Sequence, residues 1–200
     1  MSAITPIAIA CEGITDEAVA VRLVTHVGGS VGTVYGKGGK AQLHQRMQGY
    51  ANAARYAPWF VLVDLDHDAD CVPPLLSNWA PHLPSLLCFR IAVREVEAWL
   101  LADRERLASF LGVAQDRLPA QPESLDDPKQ ALVNAARRSR KSAIRVDMVP
   151  RERSGRSTGP AYASRLIEFA SRTWRPDIAA HRSESLRRAI ACLRHLVDAA

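Results

Sequence analysis

The run Asp64-Leu-Asp66-His-Asp68-Ala-Asp70 ends an apolar stretch, Phe60-Val-Leu-Val63, with four alternating carboxylates. Two like charges about 4 Å apart cost roughly 4 kcal/mol at an effective dielectric near 20. Solvation on a loop or a bound cation must offset that repulsion. Further acids stand at comparable places: Glu12, followed by Gly13 and then by Asp16 and Glu17, and Glu97 in the run Arg94-Glu-Val-Glu97. In open parallel sheets ligands bind beyond the carboxyl ends of the strands. If three strands end at these acids, the carboxylates converge on one edge. Such hard oxygen donors suit Mg²⁺ or Mn²⁺ rather than zinc.

The elements needed for that convergence are legible. Residues 3–11 read as a first strand, and Thr15 as the cap of a helix reaching about residue 27, with Val19, Leu23, Val24 and Val27 on one face. Residues 30–35 read as a second strand and 41–56 as a helix. Residues 59–63 and 86–93 are apolar on both faces, as buried parallel strands are. Residues 95–111 read as one amphipathic helix with Val96, Trp99, Leu100, Leu107, Phe110 and Leu111 inward. This alternation predicts an α/β fold with a parallel sheet of about four strands flanked by helices. The Pro-rich residues 70–85 read as an insertion, where Asp68 and Asp70 are expected to be solvated. After Gly112 the pattern changes to a Pro/Asp-rich link (119–128), a helix at 129–140, a polar basic loop at 141–159, and helices at 161–174 and 185–199. The expected organisation is an α/β core at 1–112 and a basic helical extension at 113–200. Leu186, Ile190, Leu193 and Val197 share one face of the last helix. That face is suited to closing the domain, with a homodimer seam as the alternative.

Composition narrows the function. Net charge is +5, but residues 1–100 carry 7 basic and 9 acidic side chains, a net of −2, and residues 101–200 carry 19 and 12, a net of +7. An acidic half joined to a basic half suits a metal-using enzyme acting on polyanions. The most basic stretch holds Arg137, Arg138, Arg140, Lys141, Arg145, Arg151, Arg153 and Arg156, which are candidate phosphate contacts. It has no aromatic residue on which single-stranded bases would stack. No apolar run approaches the ~20 residues of a membrane span. No signal-peptide pattern opens the chain, and the four cysteines form no CxxC pair. The expectation is therefore a cytoplasmic protein with reduced thiols.

Sharper motifs fail. An EF-hand loop begun at Asp64 would need Gly at Ala69 and Glu at Leu75. Gly32-Thr-Val-Tyr-Gly36-Lys37 is one residue short of a P-loop and lacks the following Ser or Thr. Gly36-Lys-Gly-Gly-Lys40 remains a candidate phosphate cradle through Lys37, Lys40 and backbone N–H groups. The histidines show no ligand spacing.

Three features in order, Glu12-Gly13-x-Thr15, Asp64-x-Asp66 and an acid in the next strand–helix turn, resemble the TOPRIM fold of topoisomerases, primases and the overcoming-lysogenization-defect nucleases. Arg94-Glu-Val-Glu-Ala-Trp-Leu-Leu-Ala-Asp103 and Asp127-Pro128-Lys129 resemble a small bacterial TOPRIM-like family associated with ATPase partners and phage defence. The resemblance covers residues 4–135. It implies Glu12 as a metal ligand or general acid/base, Asp64 and Asp66 as the metal-holding pair, and Glu97 with Asp16 as the completion of a second site. Two ions about 3.5–4 Å apart would then act on a phosphodiester, steadied by Lys129 or an arginine of the basic stretch. A Mg²⁺- or Mn²⁺-dependent nuclease on DNA or RNA is the expectation. Its rivals are a phosphohydrolase with Asp64 as nucleophile and a non-catalytic nucleic-acid-binding or regulatory subunit.

Overall fold

The computed structural model describes residues 5–68, 72–79 and 83–199. Asp70, Cys71, His82 and the first residues of the expected opening strand lie outside these. Strands β1 (Ile7–Cys11), β2 (Val31–Gly36), β3 (Trp59–Asp64) and β4 (Leu87–Ala92) form one all-parallel sheet in the order β2-β1-β3-β4. Cys11 lies level with Gly36 and Leu62, and Asp64 lies level with Ala92. Hence the residues following β1, β3 and β4 all emerge at one edge.

The unbroken apolar strands divide between two faces because successive side chains point oppositely. Ile7, Ile9, Phe60, Leu62, Cys88 and Ala92 bury against α1 (Ile14–His26) and the helices after β4. Ala10, Val61, Val63, Phe89 and Ile91 bury with Leu43, Met47 and Tyr50 of α2 (Lys40–Ala53) and Leu75 and Trp79 of α3 (Val72–Trp79). The supposed insertion thus carries a helix, whose apolar residues complete the second core.

Several local expectations change. The cap of α1 is Gly13, not Thr15, which lies inside the helix. The earlier start puts Asp16 in the first turn with its side chain buried. The predicted single helix at 95–111 is two, α4 (Val96–Ala102) and α5 (Arg104–Leu111). Between them Asp103 leaves helical geometry and caps α5 through Arg106 N–H at 3.4 Å. Its carboxylate also takes the Arg175 backbone N–H at 3.0 Å and guanidinium at 3.1 and 2.7 Å. The apolar period runs through the break, so the sequence reads as continuous. Asp103→Ala removes a cap and unpairs Arg175 on its buried side. We expect a loss of about 2 kcal/mol in urea unfolding, with the denaturant slope unchanged; a shift below a few tenths would remove this role.

Beyond Gly112, two 3₁₀ turns (Gln115–Arg117 and Pro122–Ser124) lead to α6 (Pro128–Arg137), and the expected basic loop contains α7 (Ser142–Met148). Helices α8 (Tyr162–Arg172), α9 (Pro176–Ala180) and α10 (Glu184–Ala199) follow. Leu186, Ile190 and Leu193 of α10 bury in the same core as the sheet, and Val197 packs against it. Glu123 accepts the Glu184 and Ser185 backbone N–H groups at 2.9 and 3.0 Å, placing a negative charge on the N-terminus of α10. No described helix is long and apolar enough to cross a membrane.

Candidate functional site

The acids read from the sequence meet at the carboxyl edge of the sheet. Glu12 follows β1 and its Oε1 accepts the Asp64 backbone N–H at 2.8 Å. Asp64 ends β3, and its Oδ1 accepts the Val96 N–H at the start of α4, at 2.9 Å. Each acid therefore ties one strand end to the next. Asp16 is 7% exposed and Glu97 4% exposed. Backbone N–H groups of Gly13 and Asp16 steady the Asp16 carboxylate, yet its Oδ1 is buried without a hydrogen-bond partner.

Crowding and burial push protons onto this cluster. Glu12 is raised to about 7, chiefly by desolvation, with Asp16 and Asp66 adding repulsion. Glu97 is raised to about 7, again by desolvation first, against the pull of Lys129. Asp64 is held well above the usual carboxylate range by desolvation and then by Asp16, Glu97, Glu12 and Asp66. Asp16 is also raised, mainly by burial. Glu12, Asp16, Asp64, Asp66 and Glu97 therefore form one electrostatic unit.

Asp66 sits on a strained turn. Its φ is 51° and that of Arg94 is 60°, both left-handed without being glycine. The two residues hold each other: Asp66 N–H donates to Arg94 O and the Arg94 guanidinium donates to Asp66 O, both at 2.8 Å. The turns after β3 and β4 are locked together by this exchange.

Two lysines enter the cluster. Lys40 donates to Asp66 at 2.9 Å, to Asp68 at 2.7 Å and to the Leu65 carbonyl at 3.2 Å. Asp68, expected to be merely solvated, is thus paired. Lys129 binds Glu95 and lies 3.9 Å from Glu97. The Glu95 carboxylate also accepts the Lys129 backbone N–H, joining α6 to the turn after β4. Among the described residues no group of three His, Cys, Asp or Glu side chains is arranged to hold a metal ion. The carboxylates are turned instead to lysines and backbone N–H groups.

The phosphate cradle read at Gly36-Lys-Gly-Gly-Lys40 is occupied internally. Lys37 N–H donates to Cys11 O and Gly39 N–H to Glu12 O, and the Lys37 side chain pairs with Glu17 at 3.2 Å. Gly36 itself is required: at φ 92° a Cβ would lie 2.1 Å from Cys11 O. The turn therefore folds over the end of β1 and delivers Lys40 to the acids.

The basic stretch is divided by α7. Arg137 ends α6, about 12 Å along the helix from Lys129 at 1.5 Å per residue, and Arg138 and Arg140 follow it, all three exposed. Lys141 turns back to the carbonyls of Ser109 and Phe110 at the end of α5. Arg151, Arg153 and Arg156 are exposed on the loop leading into α8. That loop ends at Tyr162, whose hydroxyl donates to Glu97 at 3.3 Å. Glu95, Arg94 and Tyr162 are thus site neighbours that sequence reasoning left unassigned. Glu95 and Arg94 stood inside a quoted motif, but nothing in the chain order pointed to Tyr162.

The chain matches no family model, no curated protein and no solved structure.

Proposed function

We propose that the chain is a divalent-metal-dependent nuclease of TOPRIM-like type, cleaving phosphodiester bonds in DNA or RNA. The observation that carries this reading is the convergence of Glu12, Asp16, Asp64, Asp66 and Glu97 from three strand ends, with Asp16 Oδ1 buried and unpartnered. A divalent cation would offset the repulsion among such hard oxygen donors. Asp64, Asp66 and Glu12 would hold Mg²⁺ or Mn²⁺, with Asp16 and Glu97 beside them. The metal supplies charge stabilisation for the phosphoryl oxygens and an activated water. Glu12 and Glu97, with pKa values near 7, are suited to exchanging a proton near neutral pH. Lys40 and Lys129 neutralise the carboxylates when no cation is bound. The exposed arginines 151, 153 and 156 supply phosphate contacts on the loop that leads to Tyr162, and those of α6 extend the basic surface.

As part of the same reading, the protein works inside the cell as the effector of a defence system with an ATPase partner. The lysine pairing of Asp66 and Glu95 favours a second reading, a non-catalytic subunit in which the acids serve structure.

The deciding experiment is titration calorimetry with Mn²⁺, with plasmid DNA and total tRNA cleavage measured on the same sample. Saturable binding with metal-dependent cleavage is the expected result. Binding without cleavage would assign the activity to the assembled complex, testable by adding the co-purifying ATPase. Absence of binding leaves the structural reading.

A further inference from the structure

Away from the acid edge, β4 and α10 enclose a cleft of about 300 Å³ lined by Cys88, Arg90, Arg188, Cys192 and His195. Cys88 is buried on β4, and Cys192 is half-buried on α10. The two thiols interact side chain to side chain, with Arg90 beside both and His195 close to Cys192. Arg90 lines the same cleft, and its Nε is buried without a hydrogen-bond partner. We propose that Cys88 and Cys192 form a thiol-oxidation site, in which Cys192 reacts with a hydroperoxide and Cys88 resolves the product as an intramolecular disulfide joining β4 to α10.

The environment separates the two roles. Contact with the Cys88 thiol lowers Cys192 to about 6, helped by Arg90 and His195. Burial holds Cys88 well above its ordinary value. Reactive thiols sit in electropositive, partly exposed surroundings, and the thiolate is the nucleophile. By contrast, buried Cys11 is pushed up to about 12 by desolvation and neighbouring carboxylates.

The Cys192 thiolate attacks one oxygen of the peroxide, the O–O bond breaks, and hydroxide or alkoxide leaves; sulfur is oxidised to sulfenic acid. Deprotonated Cys88 then attacks the Cys192 sulfur, water leaves with the transferred proton, and the S–S bond forms. Two electrons pass from the thiols to the peroxide.

The bridge would act on the neighbouring turn. Ser185, on the same helix as Cys192, accepts the Trp99 indole N–H at 2.7 Å and the Val93 backbone N–H at 3.4 Å. Residues 93–99 carry Glu95 and Glu97, so a disulfide pins the helix that supports them. The oxidation site stands on its own observations and is independent of the nuclease reading.

The test treats the reduced, full-length protein with hydrogen peroxide and maps peptides without reduction. A Cys88–Cys192 cross-linked peptide, lighter by two hydrogens and split by dithiothreitol, is expected. In Cys88→Ser, dimedone should trap a sulfenic acid on Cys192. With wild type, iodoacetamide at pH 6 should label Cys192 about tenfold faster than free cysteine, after allowing for the lower nucleophilicity of a low-pKa thiol. That labelling keeps the test decisive if Cys88→Ser fails to fold. A bridge to any other cysteine, over-oxidation of Cys192 without a bridge, or labelling no faster than free cysteine overturns the proposal.

Discussion

Asp64→Asn/Asp66→Asn is expected to abolish metal-dependent cleavage, a loss of at least about a hundredfold, while leaving the fold intact. The geometry favours these substitutions. At position 64 the new side chain keeps an Oδ1 acceptor for the Val96 N–H that Asp64 takes at 2.9 Å. Asp66 sits at φ 51°, and Asn tolerates left-handed backbone better than Ala does. Lys40 loses one carboxylate but keeps Asp68 and the Leu65 carbonyl. Removing two members of a mutually repelling set should also leave the metal-free protein at least as stable as wild type. Activity and stability therefore move in opposite directions, which ordinary structural damage does not produce. Circular dichroism and thermal melting, run beside cleavage and Mn²⁺ calorimetry, check both. A variant that folds, still binds Mn²⁺ and still cuts would remove these residues from the site.

The second large effect is the loss of one pH-dependent contribution to stability in Glu97→Gln. Glu97 rises from an ordinary 4.5 to about 7 in the fold, so the folded chain binds more protons than the unfolded one between those values. Stability from this group is fully present below about pH 4.5 and is lost as pH rises through 7. At pH 8 the ionised side chain costs on the order of 3 kcal/mol, because it is 4% exposed and desolvated. Gln carries no charge and keeps an acceptor for Tyr162 Oη. The metal-free variant should therefore exceed wild type by about that amount at pH 8 and by less than about 1 kcal/mol at pH 5. Mn²⁺ should narrow the gap by stabilising wild type more, since a ligand stabilises only the state it binds. Urea unfolding across pH 5–8, with and without Mn²⁺, measures all of this. Parallel pH profiles for the two proteins would show that Glu97 is not the group held near 7.

Much of the fold was legible because it rests on local periodicity. Strands with apolar residues on both faces demand a buried parallel sheet, and the structure has one. The site's acids were legible for the same reason: Glu12, Asp64 and the Arg94–Glu97 turn directly follow apolar strands. Parallel strand direction alone implies their shared edge. The sequence also showed that residues 101–200 are basic, but not which of those charges are free.

Only tertiary packing decided the rest. Asp103 breaks a helix because Arg175, 72 residues on, holds its carboxylate, and no periodicity registers such a partner. Lys40 reads as a phosphate ligand until the turn at Gly36 carries it onto Asp66 and Asp68. Tyr162 reaches Glu97 across 65 residues of chain. Cys88 and Cys192 become a pair only when α10 lies on β4. Strand ends are set by short-range patterning and so can be read in order along the chain. Charge pairing, burial and proton affinity depend on what long-range folding brings alongside, and the fold alone determines them.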